Sequence, residues 1–181
     1  MKNKNYVLGI VICFLCNIAY ADGKSAKAKL YNKSGQSIGK VSFSQGKDGV
    51  TVVVQAKGLS AGFHGFHIHA VGECIPPFTT AGPHFEQRID TNHRDHNGDM
   101  PVLLANNNGK AKAMFKTDRF TVAELFDNER GGIGRAVIIH ANPDNYANIP
   151  TDRYTPAPDT ITLTTGDAGA RTVCGVIKKG G

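Results

Sequence analysis

"GVTVVVQA", residues 49–56, alternates along its length and decides how the chain is read. In an extended strand successive side chains point to opposite faces. Val50, Val52, Val54 and Ala56 therefore share one side, and Thr51, Val53 and Gln55 share the other. The same period recurs upstream in "AKAKLYN" (26–32) and downstream in "GKAKAMFK" (109–116). "IGKVSFS" (38–44), "GRAVIIH" (134–140) and "RTVCGVIK" (171–178) are β-branched or apolar runs of strand length. Turn signals separate them: "GKDG" at 46–49, "NNNG" at 106–109 and "GG" at 131–132. Many short strands with Gly-rich turns predict an antiparallel sandwich or barrel. Only "FTVAELFDNE" (120–129) carries a helical pattern, of two turns at most.

Two segments break the strand pattern. One runs from Gly72 to about Met100 and contains Pro76, Pro77 and Pro83; the other runs from Asn142 to about Ala170 and contains Pro143, Pro150, Pro156 and Pro158. Loops of this length in a compact domain are usually functional or disordered. Each follows a strand that ends in histidine, which favours function.

The 181 residues suit one domain with a real hydrophobic core. Residues 1–21 read as a cleaved secretory signal: Lys2 and Lys4, then the apolar run "YVLGIVICFLCNIAY", then the small residues Ala19 and Ala21 before Asp22. An uncleaved anchor fits less well, because the run is short for a bilayer and no second one follows. The domain is then residues 22–181, exported to the periplasm or secreted, and free of the membrane after cleavage. Cys13 and Cys16 leave with the signal, so Cys74 and Cys174 remain. In an oxidising compartment two cysteines most simply form one disulfide, the alternative being two free buried thiols. Without its two signal lysines the chain carries 21 − 2 = 19 basic against 15 acidic residues, a net charge of +4. No basic run exceeds Lys178–Lys179, and the five tyrosines do not interleave with basic residues. Nucleic-acid binding therefore has little support.

"GFHGFHIHAVGEC" (62–74) concentrates three of the seven histidines. His67 and His69, at i and i+2, present both imidazoles on one strand face. His64, at i−3 from His67, falls on the opposite side of an extended chain. His140 ends "GRAVIIH", and His84, His93 and His96 lie in the first long segment with Asp99 nearby. Imidazole suits copper and zinc. A same-face pair joined by a third ligand from another strand and a fourth from a loop closes a coordination sphere, and "HRDHNGD" offers His93, His96 and Asp99 for a second, zinc-like one. A lone histidine would be read as a hydrogen-bonded core or surface residue; seven in this arrangement point to metal.

"GFHGFHIHAVGEC", "AGPHF", "HNGDMP", "GRAVIIHANPDN" and "TGDAGARTVCGVI" occur in this order, and together they resemble the copper–zinc superoxide dismutases, specifically the exported bacterial type. The resemblance runs from about Ala26 to Lys178. It implies an all-β, Greek-key flattened barrel or sandwich of about eight antiparallel strands with two long functional loops. It implies one copper and one zinc per chain, and superoxide as substrate: one superoxide gives up its electron and leaves as O₂, and a second takes up that electron with two protons and leaves as H₂O₂. In the family pattern His67, His69, His84 and His140 correspond to copper ligands. His84, bridging the metals, would join His93, His96 and Asp99 at zinc. Asp144 corresponds to a carboxylate that orients one histidine of each metal, Arg171 to the cation that guides superoxide, and Cys74–Cys174 to the disulfide pinning the first loop. His64 corresponds to a histidine that braces the site without ligating.

One departure stands out. His93 and His96 are three residues apart, closer than is usual in the family. Either the compact loop still gathers all four zinc groups, or His93 misses and the enzyme is copper-only. Three other expectations accompany the resemblance. The second loop is Pro- and Thr-rich with no run of guiding charges before Arg171, so Arg153 reads as a solvated surface group. A non-enzymatic periplasmic copper-binding protein on the same scaffold would not need Arg171, and a zinc hydrolase would need a base, for which Glu73 and Glu86 are the nearest candidates. Chains of this family pair differently between lineages, so a homodimer is admitted without an assigned surface.

Overall fold

In the computed structural model, residues 25–88, 92–127 and 131–180 are described; the signal reading of residues 1–21 falls outside them. Each predicted strand is present: β1 (Ser25–Asn32), β2 (Ser37–Gly46), β3 (Gly49–Ala56), β7 (Ala111–Thr117), β10 (Ala136–His140) and β11 (Arg171–Lys179). The histidine stretch adds β4 (Gly62–His64) and β5 (Phe66–His69), and a short β6 (Leu103–Ala105) follows the first long loop. These nine form one antiparallel sheet in the order β4-β6-β7-β3-β2-β1-β11-β10-β5. β8 (Phe126–Asp127) and β9 (Ile133–Gly134) pair apart as a small ribbon. The crossovers that set β7 beside β3 and β11 beside β1 distinguish this topology from a simple meander.

The two edge strands, β4 and β5, are consecutive in sequence, with Gly65 alone between them. The sheet must therefore roll up until its edges meet, which makes a nearly closed barrel. Gly65 is required by close approach: a Cβ there would stand 2.7 Å from the Ala168 Cβ and 3.2 Å from the His67 ring. Its N–H donates to Asn142 O and its carbonyl accepts from His140 N, so the seam is tied to the end of β10.

Val50, Val52, Val54 and Ala56 all point inward, joined by Leu30, Val41, Phe43, Phe66 and Ile68. β10 is buried on both faces. Val137 and Ile139 enter the barrel core, while Ala136 and Ile138 pack outward against Phe78, Ala81 and Cys174 beneath the first long loop. That double burial explains why "AVIIH" reads as a continuous apolar run rather than an alternating one.

Two local readings change. The pattern at 120–129 gives only a 3-10 turn, Ala123–Leu125, before the chain extends into β8; residues 128–129 lie outside the described set. A helix would need the carbonyls of Glu124 and Leu125, but Arg135 occupies both, through its Nε (2.9 Å) and its backbone N–H (2.9 Å). Conversely, Thr160–Thr165 in the second long loop is a helix, α1, despite its β-branched residues. Asp159 caps its start by accepting from Thr162 N at 2.9 Å, and Gly166 ends it in the left-handed region.

Cys74 and Cys174 form a disulfide across 100 residues, fastening the first long loop to β11. In the chain-entropy picture a loop of this length restrains the unfolded state by about 4–5 kcal/mol. Replacing both cysteines with serine should lower the melting temperature by roughly 10–15 °C, a shift calorimetry can read. A change under ~3 °C would show that the unfolded chain gains little freedom. Among the described residues no helix is long and apolar enough to cross a membrane.

Candidate metal centre

The alternation that sends Phe66 and Ile68 into the barrel turns His67 and His69 to its outer side, beneath the two long loops. β10 pairs with β5, placing Ile138 opposite His67, and a bulge after Ile139 re-aims His140. The first loop doubles back beside β5. Ile68 N–H donates to Gly98 O and Ile68 O accepts from Phe85 N–H, which sets His84 against His69 and Asp99 against His67. The second loop brings Asp144 over the same spot. All these residues are buried except His96, which is partly so.

The side chains converge in two groups that share His84: His67, His69, His84 and His140, then His84, His93, His96 and Asp99. In each group the potential ligand atoms lie within 4.8 Å of one another. His93 and His96 do reach the second group in spite of their short spacing. Arg94 between them adopts a left-handed φ of 76°, and Asp95 N–H donates back to Asn92 O, so the chain folds sharply and both rings face Asp99.

Hydrogen bonds fix which nitrogen of each ring is free. Asp144 accepts from His67 Nε2 at 2.6 Å and from His93 Nε2 at 2.7 Å. With Nε2 committed to Asp144, Nδ1 is the atom that each ring turns inward. His67 Nδ1 is buried with no hydrogen-bond partner; His93 Nδ1 has none of good geometry either, though it lies 3.3 Å from the Asp99 carboxylate. His69 Nδ1 donates to Gly82 O and His140 Nδ1 to Gly169 O, which leaves their two Nε2 atoms facing each other at 3.4 Å. Lone pairs turned toward one another in a buried space are what a cation satisfies. The second group supplies His84 Nδ1, 2.9 Å from Asp99 Oδ1, and His96 Nδ1, 3.3 Å from Asp99 Oδ2. Three nitrogens and one carboxylate suit zinc, and four imidazoles suit copper. The residues fit both metals.

Charge follows burial. Burial pulls His84 down to about 4, the Asp99 hydrogen bond opposing it. Burial also takes His140 to about 3, helped by its neighbour His67. In His93 burial is outweighed by hydrogen bonds to Asp144 and Asp99, which hold it at about 9. Burial raises Asp99 and Asp144, but their histidine partners hold both well below the usual carboxylate range.

Arg171, first residue of β11, pairs in register with His140. Its guanidinium donates to Phe78 O (2.8 Å), Thr79 O (3.3 Å) and Gly82 O (2.7 Å). Gly82 O thus serves both Arg171 and His69, fixing the cation beside the four-histidine group. His64 braces from the barrel side: its Nδ1 donates to His140 O at 2.8 Å, and its Nε2 lies 3.0 Å from Ser60 O. Arg153 is exposed, as expected of a solvated group. Glu86 Oε1 accepts from the backbone N–H groups of Gln87 and Arg88.

Several contributors carried no signal of side-chain chemistry. The carbonyls of Gly82 and Gly169 set two tautomers. Tyr146 donates its backbone N–H to Asp144 Oδ1, and its hydroxyl accepts from Val102 N. Gly166 lets the second loop close, for a Cβ there would run into the Asp144 carboxylate and the His93 ring. At φ 61° alanine would also meet left-handed strain of ~1–2 kcal/mol. Gly166→Ala should therefore destabilise the metal-free protein by at least that amount, read by denaturant melts; an unchanged midpoint would contradict the tight fit.

A rolled antiparallel barrel carrying two linked histidine clusters on its outer wall defines a bimetallic β-barrel protein. Residues 37–177 match the family described as copper/zinc superoxide dismutase (SODC), and the chain belongs to that family. It is 42% identical over 158 residues to a "Superoxide dismutase [Cu-Zn]" of Mycolicibacterium paratuberculosis, covering 78% of this chain and 67% of that protein, so it spans about two thirds of that relative's length. A "Superoxide dismutase [Cu-Zn]" of Legionella pneumophila is 30% identical over 181 residues and covers 97% and 99% of the two chains. Among solved structures, a double mutant of a SOD-like protein from Bacillus subtilis matches with a TM-score of 0.64 and 28% identity, over 83% of this chain and 95% of that one.

Proposed function

We propose that the chain dismutates superoxide, 2 O₂⁻ + 2 H⁺ → O₂ + H₂O₂. His67, His69, His84 and His140 hold one copper, and His84, His93, His96 and Asp99 hold one zinc. The observation that carries this reading is the sharing of His84 between both ligand groups. Bound there, copper supplies reversible one-electron transfer and zinc a redox-inert divalent charge. The chain's own residues do the rest. Arg171 attracts the anion and orients it next to the copper ligands, its fork held open by three carbonyls. His84 turns its Nδ1 to Asp99 at 2.9 Å, which leaves its Nε2 as the atom placed to hold or pass a proton beside the substrate. Asp144 fixes one ligand of each metal, so the two sites share one scaffold.

Arg171 separates this reading from a copper store, which has no use for a fixed cation at the metal. The disulfide supports an oxidising compartment, periplasmic or extracellular, in keeping with the signal-like residues 1–21. Protein loaded with copper and zinc should consume superoxide and release half an equivalent each of O₂ and H₂O₂; a loaded, disulfide-intact protein without that activity would refute the proposal.

A pH effect follows from His93. Its folded pKa, about 9, lies above the ordinary histidine value of 6.5, so the proton stabilises the metal-free fold below about 6.5 and that contribution is lost as pH rises through 9. At pH 7 zinc must displace this proton. Calorimetry in buffers of different ionisation enthalpy should show about one proton released per zinc. Zinc binding without proton release would remove His93 from the ligand set.

A further inference from the structure

The strands β1, β2, β3, β7 and β11 hold no aspartate or glutamate; every charged side chain on them is basic. Their outward positions are in register. Lys112 lies opposite Gln55, Gln55 opposite Lys40, and Lys40 opposite Lys29. In the next row Ser42 faces Lys27, and Lys27 faces Lys178. Like charges directly opposite on neighbouring strands are destabilising, yet the sheet carries two such pairs, Lys29–Lys40 and Lys27–Lys178. All five lysines are exposed, and none is within ion-pair distance of a carboxylate among the described residues. Lys116, at the end of the face, is different: it lies 3.4 Å from Asp48 in the β2–β3 turn. Two surface grooves lie on this face, and no histidine lines either of them. One is lined by Lys29, Lys40, Lys57, Lys110 and Lys112, the other by Lys27, Lys29, Lys40 and Lys178, so they adjoin through Lys29 and Lys40.

We propose that the outer face of the β7–β3–β2–β1–β11 sheet is a docking surface for a linear anionic polysaccharide. The two adjoining grooves form a path for a chain, the lysines meet its phosphate, sulfate or carboxylate groups, and Ser42 and Gln55 offer hydrogen bonds to sugar hydroxyls. A second copy of this chain does not suit the face, because a two-fold contact would set the lysine rows against themselves. A bilayer suits it poorly: the barrel wall is convex, and of the exposed large hydrophobic residues only Tyr31 and Met114 lie on these strands. Base stacking needs a row of aromatics, and Tyr31 is the only exposed one here. The metal centre is on another part of the wall, so docking localises the enzyme without covering its site.

The test is binding of the metal-loaded protein to immobilised dextran sulfate, with uncharged dextran as reference. Counterion release from four lysine contacts predicts roughly fiftyfold weaker binding at 200 mM than at 50 mM salt. The quadruple variant Lys27→Gln, Lys29→Gln, Lys40→Gln and Lys178→Gln should lose binding more than tenfold and keep its superoxide activity, which reports correct folding. A charge-matched control, Lys33→Gln, Lys47→Gln, Arg88→Gln and Arg153→Gln, should bind within about twofold of the parent. Replacing the four face lysines with arginine should preserve binding. Equal losses in the two glutamine variants would mean net charge alone, and would overturn the proposal. So would no binding by the parent, or tighter binding to phosphatidylglycerol vesicles or to a single-stranded oligothymidylate than to dextran sulfate.

Discussion

Asp144→Asn is expected to lower copper affinity 10- to 100-fold while leaving the barrel folded. The wild-type carboxylate accepts from His67 Nε2 through one oxygen and from His93 Nε2 through the other, which also accepts from Tyr146 N. An asparagine has one oxygen and one NH₂. Whichever ring faces the NH₂ must present a lone pair there, and its proton moves to Nδ1, the atom needed for metal. Tyr146 N and His93 Nε2 both donate to the same oxygen, so the amide oxygen keeps that place, the NH₂ faces His67, and copper is the metal weakened. Chelator competition gives the affinities, and ¹⁵N NMR of the imidazoles gives the tautomers. Unchanged copper affinity with unchanged tautomers would show that Asp144 is a bystander.

Arg171→Gln is expected to reduce kcat/KM at least tenfold and to flatten its dependence on ionic strength. A fixed charge at the mouth of a site raises encounter rates with small anions by 10- to 1,000-fold, superoxide dismutases being a known case. Removing Arg171 also leaves the carbonyls of Phe78, Thr79 and Gly82 without their donor, and Gly82 O is shared with His69. Arg171→Lys separates the two effects. It keeps the charge and loses the fork, so it should retain the salt dependence even if the rate falls. A glutamine variant with the parent's rate and salt slope would remove Arg171 from the reaction.

The strands were legible because period two survives wherever one face meets the core and the other meets water, as in β1, β2, β3 and β7. The histidine pair was legible for the same reason: once β5 is a strand, His67 and His69 must share a face. What the sequence concealed depends on distant backbone. Gly65 divides "GFHGFHIH" into the two edges of the sheet, because Ala168 and Asn142 approach it from another part of the chain. The helix α1 hides in "TITLTT", since its residues favour strands and only Asp159 and Gly166 mark its ends. The spacing of His93 and His96 leaves both zinc readings open because spacing counts residues and ignores φ. One left-handed residue, Arg94, shortens the path enough to turn both rings inward. Carbonyl partners such as Gly82 O and Gly169 O leave no side-chain trace, so the fixed tautomers emerge only from the fold.

The central claim is that one scaffold holds two metals through a shared histidine. The most direct test is the copper and zinc content of disulfide-intact protein prepared from an oxidising compartment. One copper and one zinc per chain, with both lowered by His84→Ala, is the predicted result. Copper bound in full with no zinc, and no zinc uptake on reconstitution, would contradict the shared site and leave His93, His96 and Asp99 as a hydrogen-bonded loop.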